Sequence, residues 1–377
     1  MRIGVDARTL SYEYTGIPTY VHDVLMYWNE TDDSDEFFLY SNRPFELDFK
    51  LKDNWHIVID DYKMGTIWVQ MRLAKLIKKD NLDIFWEPMN FLPAKVKGVS
   101  YFVTVHDIAV YKNPGFGTFN EYVMERLFMK GSCRRADSII AISDATGKAV
   151  VKELKASPDK ITVIHNGDSP YNGKEKNYDD AVKKQIQDKF RIRSGEYLLF
   201  VGTIEPRKNI VTIVKAFEVL KKEGSFSGKL VLAGKRGWKS DPIFQTIEES
   251  QYRKDIVVTG YVSSLEKECL YRESKCLLFP SFEEGFGFPI VEAMSVGVPV
   301  VTSNGSSMPE VGGDAAWYVD MDKICDEKAL AGEIKKVLDL SEEELAEYAV
   351  KAKARALTFN RHHTAESLLK AIKNYKV

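Results

Sequence analysis

An alternation of short apolar runs with helical segments constrains this chain more than any other feature. Runs of strand length recur at about 2–6, 36–41, 56–60, 83–86, 101–106, 138–142 and 161–165, with helical patterns best formed at 17–28, 66–79 and 119–135. Apolar strands separated by helices build parallel sheets covered on both faces. The alternation lapses in Asp168-Ser169-Pro170-Tyr171-Asn172-Gly173-Lys174-Glu175-Lys176-Asn177, a polar stretch with Pro and Gly that reads as a linker. After a charged helix near 179–191 it restarts at Tyr197-Leu198-Leu199-Phe200-Val201 and continues at 229–233, 255–259, 276–280 and 298–302. The expected fold is therefore α/β with two doubly wound domains, one over 1–168 and one over 196–377, joined by a linker and connecting helix over 169–195. A chain of 377 residues suits two cores. A last helix from about 361 fits either domain by its pattern.

Composition removes several classes of function. With 44% hydrophobic and 29% charged residues the chain is ordinary globular, not disordered or fibrous. A formal charge of −2 gives no support to nucleic acid as a partner. Cysteines at 133, 269, 276 and 325 have neither disulfide-framework nor zinc-site spacing, which fits a reducing compartment. The start, Met1-Arg2-Ile3-Gly4-Val5-Asp6-Ala7-Arg8, is not a signal-peptide run, and the longest apolar stretches fall far short of the ~20 residues a membrane span needs. A cytoplasmic protein is expected, meeting a membrane only from outside, at its inner face.

Two stretches carry chemistry. In Phe279-Pro280-Ser281-Phe282-Glu283-Glu284-Gly285-Phe286-Gly287-Phe288-Pro289-Ile290-Val291-Glu292 a strand runs into a glycine loop and then a helix, with Pro289 suited to its first position. Such a loop lies at the carboxyl edge of a parallel sheet, where a helix N-terminus offers free N–H groups to a phosphate. Gly285 and Gly287 allow close backbone approach, and Glu284 and Glu292 are placed to accept from the hydroxyls of one ligand. The plainer alternative is a turn whose carboxylates merely favour the helix start. The second stretch, Phe200-Val201-Gly202-Thr203-Ile204-Glu205-Pro206-Arg207-Lys208-Asn209, places two cations just before a helix at 210–222. The dipole disfavours cations there, so an arriving anion would relieve the conflict; a solvated surface pair is the competing reading.

Together these residues resemble a known family. Glu284 and Glu292 form an E-x7-E element within Glu-Gly-Phe-Gly-x-Pro-x-x-Glu-Ala, followed by Gly297-x-Pro299-Val300-Val301. With Gly-Thr-x-Glu-Pro-Arg-Lys-Asn at 202–209, Asp6-Ala7-Arg8, Thr15-Gly16-Ile17, Thr104-Val105-His106-Asp107 and Ile164-His165-Asn166-Gly167, the chain resembles the retaining glycosyltransferases of family 4, in glycosyltransferase group 1. It is similar within that family to mannosyltransferases of bacterial polysaccharide assembly. The resemblance implies a GT-B fold, two facing Rossmann-like domains with a cleft between them, the first binding the acceptor and the second a nucleotide sugar. It implies that Arg207 and Lys208 grip the diphosphate, that Glu292 accepts from the ribose and Glu284 from the transferred sugar, and that the backbone of Gly285, Phe286, Gly287 and Phe288 helps to hold the donor. Gly16 would line the diphosphate side and His106 would lie near the reacting carbon.

Further expectations follow. The catalytic set implied is His106, Glu284, Arg207 and Lys208, with no metal, because no Asp-x-Asp motif stands near these loops, and no cofactor beyond the nucleotide-sugar substrate. Retention is expected on the front face, with double displacement through Glu284 as the alternative. A nicotinamide enzyme is disfavoured, since Gly285-x-Gly287-x-x-Ile290 lacks the third glycine of its fingerprint. An epimerase of the same fold and a non-catalytic sugar-nucleotide module remain alternatives. The resemblance leans toward GDP-mannose as donor and a saccharide, free or lipid-linked, as acceptor. Helix 119–135 mixes Phe119, Tyr122, Val123, Leu127, Phe128 and Met129 with Arg126, Lys130, Arg134 and Arg135. That mixture is more often an amphipathic helix with a core face than a weak peripheral membrane contact.

Overall fold

A computed structural model of the chain describes residues 1–12, 16–167 and 179–375. The linker expected at 168–177, and Thr15 of the early motif, lie outside the described residues. The chain divides into two compact units. The first holds Met1–Pro114, Phe119–Gly167 and Asn360–Val377, and the second Gly115–Thr118 and Asp168–Phe359.

In the first unit seven strands, β1 (Arg2–Asp6), β2 (Glu36–Ser41), β3 (Trp55–Ile59), β4 (Ile84–Glu87), β5 (Ser100–Val105), β6 (Ser138–Ala141) and β7 (Ile161–Val163), pair in parallel in the order 3-2-1-4-5-6-7. Side chains alternate across each strand, so the sheet feeds two cores. Ile3, Val5, Phe37, Leu39, Trp86 and Phe102 join Val21, Leu25 and Trp28 of α1 (Ile17–Thr31) on one side. The C-terminal helix, Arg361–Lys373, seals that core with Ala365, Leu368 and Ile372, and Trp28 Nε1 donates to the carbonyl of Ala365 at 2.9 Å. On the other side Phe85, Tyr101 and Val103 pack with Trp68 and Ile77 of the helical segment 65–79, with Met129 and Cys133 of α2 (Phe119–Arg135), and with Val150 of α3 (Asp144–Leu154). Within 65–79 the turn Val69–Leu73 is wound as a π-helix, a break that apolar periodicity does not reveal.

In the second unit β8 (Tyr197–Val201), β9 (Lys229–Ala233), β10 (Ile256–Gly260), β11 (Cys276–Phe279), β12 (Val300–Ser303) and β13 (Trp317–Val319) are likewise parallel, in the order 10-9-8-11-12-13. Helices α4 (Asp180–Phe190), α5 (Ile210–Lys222), α6 (Asp241–Glu249), α7 (Ser264–Arg272), α8 (Phe288–Ser295), α9 (Glu327–Leu338) and α10 (Glu342–Leu357) belong to this unit, α9 packing on α5 and α10 on α8. β12 begins two residues later than its apolar run, because Pro299 has no N–H for the ladder and contributes its carbonyl to the Leu277 amide instead, at 2.8 Å. β13 has three residues, too few for a pattern to show. In both sheets the winding direction reverses, between β1 and β4 and between β8 and β11, and ligands of such sheets bind outside the carboxyl ends of the strands at that reversal. None of the four cysteines is in a disulfide, and no helix among the described residues is long and apolar enough to cross a membrane.

Candidate active site

The loops that leave β8 and β11 meet at the reversal point of the second sheet. Beyond β8 the backbone passes Gly202 and runs alongside Gly234 after β9; a side chain at Gly234 would sit 1.9 Å from the Gly202 carbonyl oxygen, so the crossing admits only glycine. The chain then makes a tight turn, Pro206–Lys208, and Asn209 in a left-handed conformation starts α5. The turn is bound to the β11 loop by the Phe282 amide, which donates to the Arg207 carbonyl at 2.9 Å.

Charge is concentrated where these loops join. Lys208 Nζ lies 2.5 Å from Glu284 Oε1, and Arg207 Nη1 lies 3.5 Å from Glu284 Oε2. Arg207 Nε also donates to Glu205 Oε1 at 3.1 Å, while the other oxygen of Glu205 accepts from Trp238 Nε1 at 3.1 Å. Lys208, Glu205 and Glu284 are all buried. Burial alone would raise the Glu284 pKa, but the charges of Lys208 and then Arg207 outweigh it and hold the carboxyl below its ordinary value. The protein's own carboxylates thus lie against the two cations at this helix start.

The segment after Glu284 is held from behind. Ser306 Oγ donates to the Glu284 carbonyl at 2.6 Å and Ser307 Oγ to that of Phe286 at 2.8 Å. Gly285 leads to Phe286, which packs edge-on against Phe359 at 5.3 Å. Gly287, with φ of 106°, caps α8 in a conformation that disfavours any side chain. Helix α8 therefore starts at Phe288 and Pro289 takes its second position rather than its first. Glu292, one turn on, is buried with both oxygens engaged, by Lys267 Nζ at 2.5 Å and by the Tyr271 hydroxyl at 2.7 Å, both from α7. Each carboxylate oxygen has two lone pairs, so Glu292 retains capacity to accept from a ligand. Lys267, Tyr271, Ser306 and Ser307 carry no sequence signal that would have marked them; they are found only through what they touch.

The remaining two candidates belong to the first unit. Gly16, with φ of 62°, caps α1, and its carbonyl accepts from the Tyr20 amide at 3.1 Å. His106 follows β5; its Nε2 is 2.9 Å from the Pro88 carbonyl, and Tyr20 packs edge-on against its ring at 5.2 Å. Burial pushes the His106 pKa down to about 4, overriding that carbonyl and Asp107, so the ring is neutral at physiological pH and donates through Nε2. The same sheet edge holds a cluster the motifs only hinted at. Arg8 Nε is 2.7 Å from Asp6 Oδ2 and Arg8 Nη2 is 3.8 Å from Glu87 Oε1, all three buried. Burial first, and then the Asp6 charge, raise the Glu87 pKa well above its ordinary value beside the Asp6–Arg8 pair.

The sequence model "Glycosyl transferases group 1" matches residues 182–355, and "Glycosyltransferase Family 4" matches residues 16–168. The chain belongs to the family 4, group 1 glycosyltransferases. It is 32% identical over 248 residues to O-antigen chain mannosyltransferase B of Escherichia coli, a match covering 65% of this chain and 64% of that relative's length. A glycosyltransferase from Rickettsia africae superposes over 100% of this chain and 99% of its own with a TM-score of 0.73 at 17% identity. Anabaena HepE, solved in complex with UDP and glucose, gives 0.72 at 15% identity, covering 99% of each chain. At these identities the structures establish the fold, that of the GT-B glycosyltransferases.

Proposed function

We propose that the chain is a retaining hexosyltransferase that moves mannose from GDP-mannose to a saccharide acceptor, carried on a lipid, during synthesis of a cell-surface polysaccharide. The observation that carries this reading is the Arg207–Lys208–Glu284 cluster at the reversal point of the second sheet, beside the N-terminus of α8. Two cations and a helix start suit a diphosphate leaving group, and carboxylates that only accept suit sugar hydroxyls. Glu292 would take the ribose, the Gly285–Phe288 backbone the phosphates or sugar, and Gly16 and His106 the donor from the first unit. The Escherichia coli relative named a mannosyltransferase supports the sugar, and HepE bound to UDP and glucose supports a nucleotide donor.

Transfer breaks the bond from the anomeric carbon to the diphosphate oxygen and forms one to an acceptor oxygen. The acceptor's proton passes to the departing phosphate on the same face. Arg207 and Lys208 would stabilise the charge that develops on that phosphate, in place of a metal ion. Glu284, held between two cations, is a weak nucleophile, which favours the front-face route over double displacement. His106, neutral with Nε2 committed to Pro88, would offer a sugar hydroxyl the lone pair of Nδ1.

Helix α2 buries Met129, Ser132 and Cys133 and leaves Phe119, Arg126, Leu127, Lys130 and Arg134 exposed. That exposed face supports peripheral contact with an anionic bilayer next to a lipid-linked acceptor. The donor assignment is tested by the melting temperature of the chain with a panel of UDP-, GDP- and ADP-sugars. Selective stabilisation by GDP-mannose is expected; a uniform lack of response would overturn the donor site.

A further inference from the structure

The six-stranded sheet carries a concave feature at the edge opposite Arg207, Lys208 and Glu284. A cavity of about 380 Å³ opens where the chain enters β13, lined by Asp314, Trp317, Leu340, Glu347, Tyr348 and Lys351 with their neighbours. The strands are parallel, so residues leading into β13 lie at the amino edge, whereas Arg207, Lys208 and Glu284 follow the carboxyl ends of β8 and β11. The cavity is thus separate from the donor residues, and its volume falls within the roughly 300–1,000 Å³ usual for small-ligand sites.

Its wall is aromatic and its rim polar. Trp317 on β13 and Tyr348 on α10 lie with ring centroids 5.1 Å apart, tilted by 38°. The Tyr348 hydroxyl is bonded to the carbonyls of Val298 and Ala315 at 3.2 and 3.0 Å, so the ring is fixed and offers only its carbon framework. On the rim Lys351 Nζ pairs with Asp314 at 3.0 Å, and Glu344 turns back to the Ser341 amide at 2.8 Å. Glu347 is exposed and has no partner among the described residues.

These groups select a chemistry. Three carboxylates against one ammonium repel phosphates, nucleotides and sugar acids. Carboxylates accept from hydroxyls, Lys351 donates to ring or hydroxyl oxygens, and a fixed aromatic wall matches the apolar C–H face of a pyranose. We propose that this cavity binds a neutral saccharide chain, a segment of acceptor or product held away from the donor residues. The inference rests on the glycosyl transfer proposed above, which makes such a chain both substrate and product, and a second foothold would raise its effective concentration at the enzyme.

The test uses the full chain with 19F-labelled tryptophan, titrated with α-mannotetraose. A shift of the Trp317 resonance with a Kd of about 1 mM is expected, weakened at least threefold by Glu347→Gln and by Lys351→Met, with nucleoside-diphosphate affinity unchanged in both. An unresponsive Trp317 at ten times that concentration, or a response to choline but not to the oligosaccharide, overturns the proposal. Transfer is followed in parallel: transfer with a silent Trp317 overturns this inference alone, and a responsive Trp317 without transfer overturns the donor reading alone.

Discussion

Replacing Glu284 with Gln separates two effects that the Lys208–Glu284 pair combines. The carboxylate neutralises two cations, with Lys208 at 2.5 Å and Arg207 at 3.5 Å. Removing one partner of a buried ion pair costs about 3–5 kcal/mol, because the other charge is left uncompensated. Glu205 still pairs with Arg207, so the low end, about 3 kcal/mol, applies here. For a unit of this size each kcal/mol lowers Tm by roughly 2–4 °C, giving a fall of about 6–12 °C in differential scanning fluorimetry. At the donor site proposed above, however, a diphosphate would compete with Glu284 for Lys208. In Glu284→Gln it takes that ammonium unopposed, so GDP should raise Tm by more than it does in the parent, while the transfer rate falls because the sugar has lost its acceptor. A variant whose stability is unchanged, or whose GDP response shrinks along with its activity, would refute this account of the cluster. The pair also sets a pH response. Because the native pKa of Glu284 is depressed, its stabilisation is full above the ordinary carboxyl range and is lost as pH falls through the native value.

The raised pKa of Glu87 gives an opposite signature. Its native pKa is raised, so its contribution is full below the unfolded value of about 4.3 and is lost as pH rises through the native pKa; Glu87→Gln, neutral throughout, should therefore gain stability relative to the parent as pH rises, whereas Asp6→Asn should cost about 3 kcal/mol or more by stranding Arg8. Urea titrations across pH decide both, and equal losses in the two variants would contradict a raised Glu87 pKa. Sedimentation with vesicles rich in anionic lipid tests the α2 face: Arg126→Glu with Lys130→Glu should abolish pelleting that the parent shows, and pelleting by neither or equally by both would remove the proposed contact.

Legibility in the sequence followed the range of the interactions involved. Strands β1, β2, β8 and β9 and the helix at 210–222 were readable to the residue, because apolar periodicity and flanking turns are local. The loops at 202–209 and 284–292 were readable because glycine and proline advertise backbone geometry. Their electrostatics were not: Arg207 and Lys208 are met by Glu284, 76 positions from Lys208, a pairing no local pattern reveals. The same holds for Glu292, whose partners Lys267 and Tyr271 lie on another helix, and for Glu87, whose pKa is raised by burial and then by Asp6 on the neighbouring strand. Trp317 sits in a strand of three residues, below what a period-two pattern can show, so the aromatic cavity had no signal at all.

The most direct measurement of the central proposal is product analysis after incubation with GDP-mannose and a mannose-terminated acceptor. Release of GDP together with an extended acceptor whose new linkage is α by its one-bond carbon–hydrogen coupling is the predicted result. A new sugar nucleotide, a β linkage, or binding without turnover would contradict it, pointing in turn to epimerisation, inversion or a module that binds without catalysing.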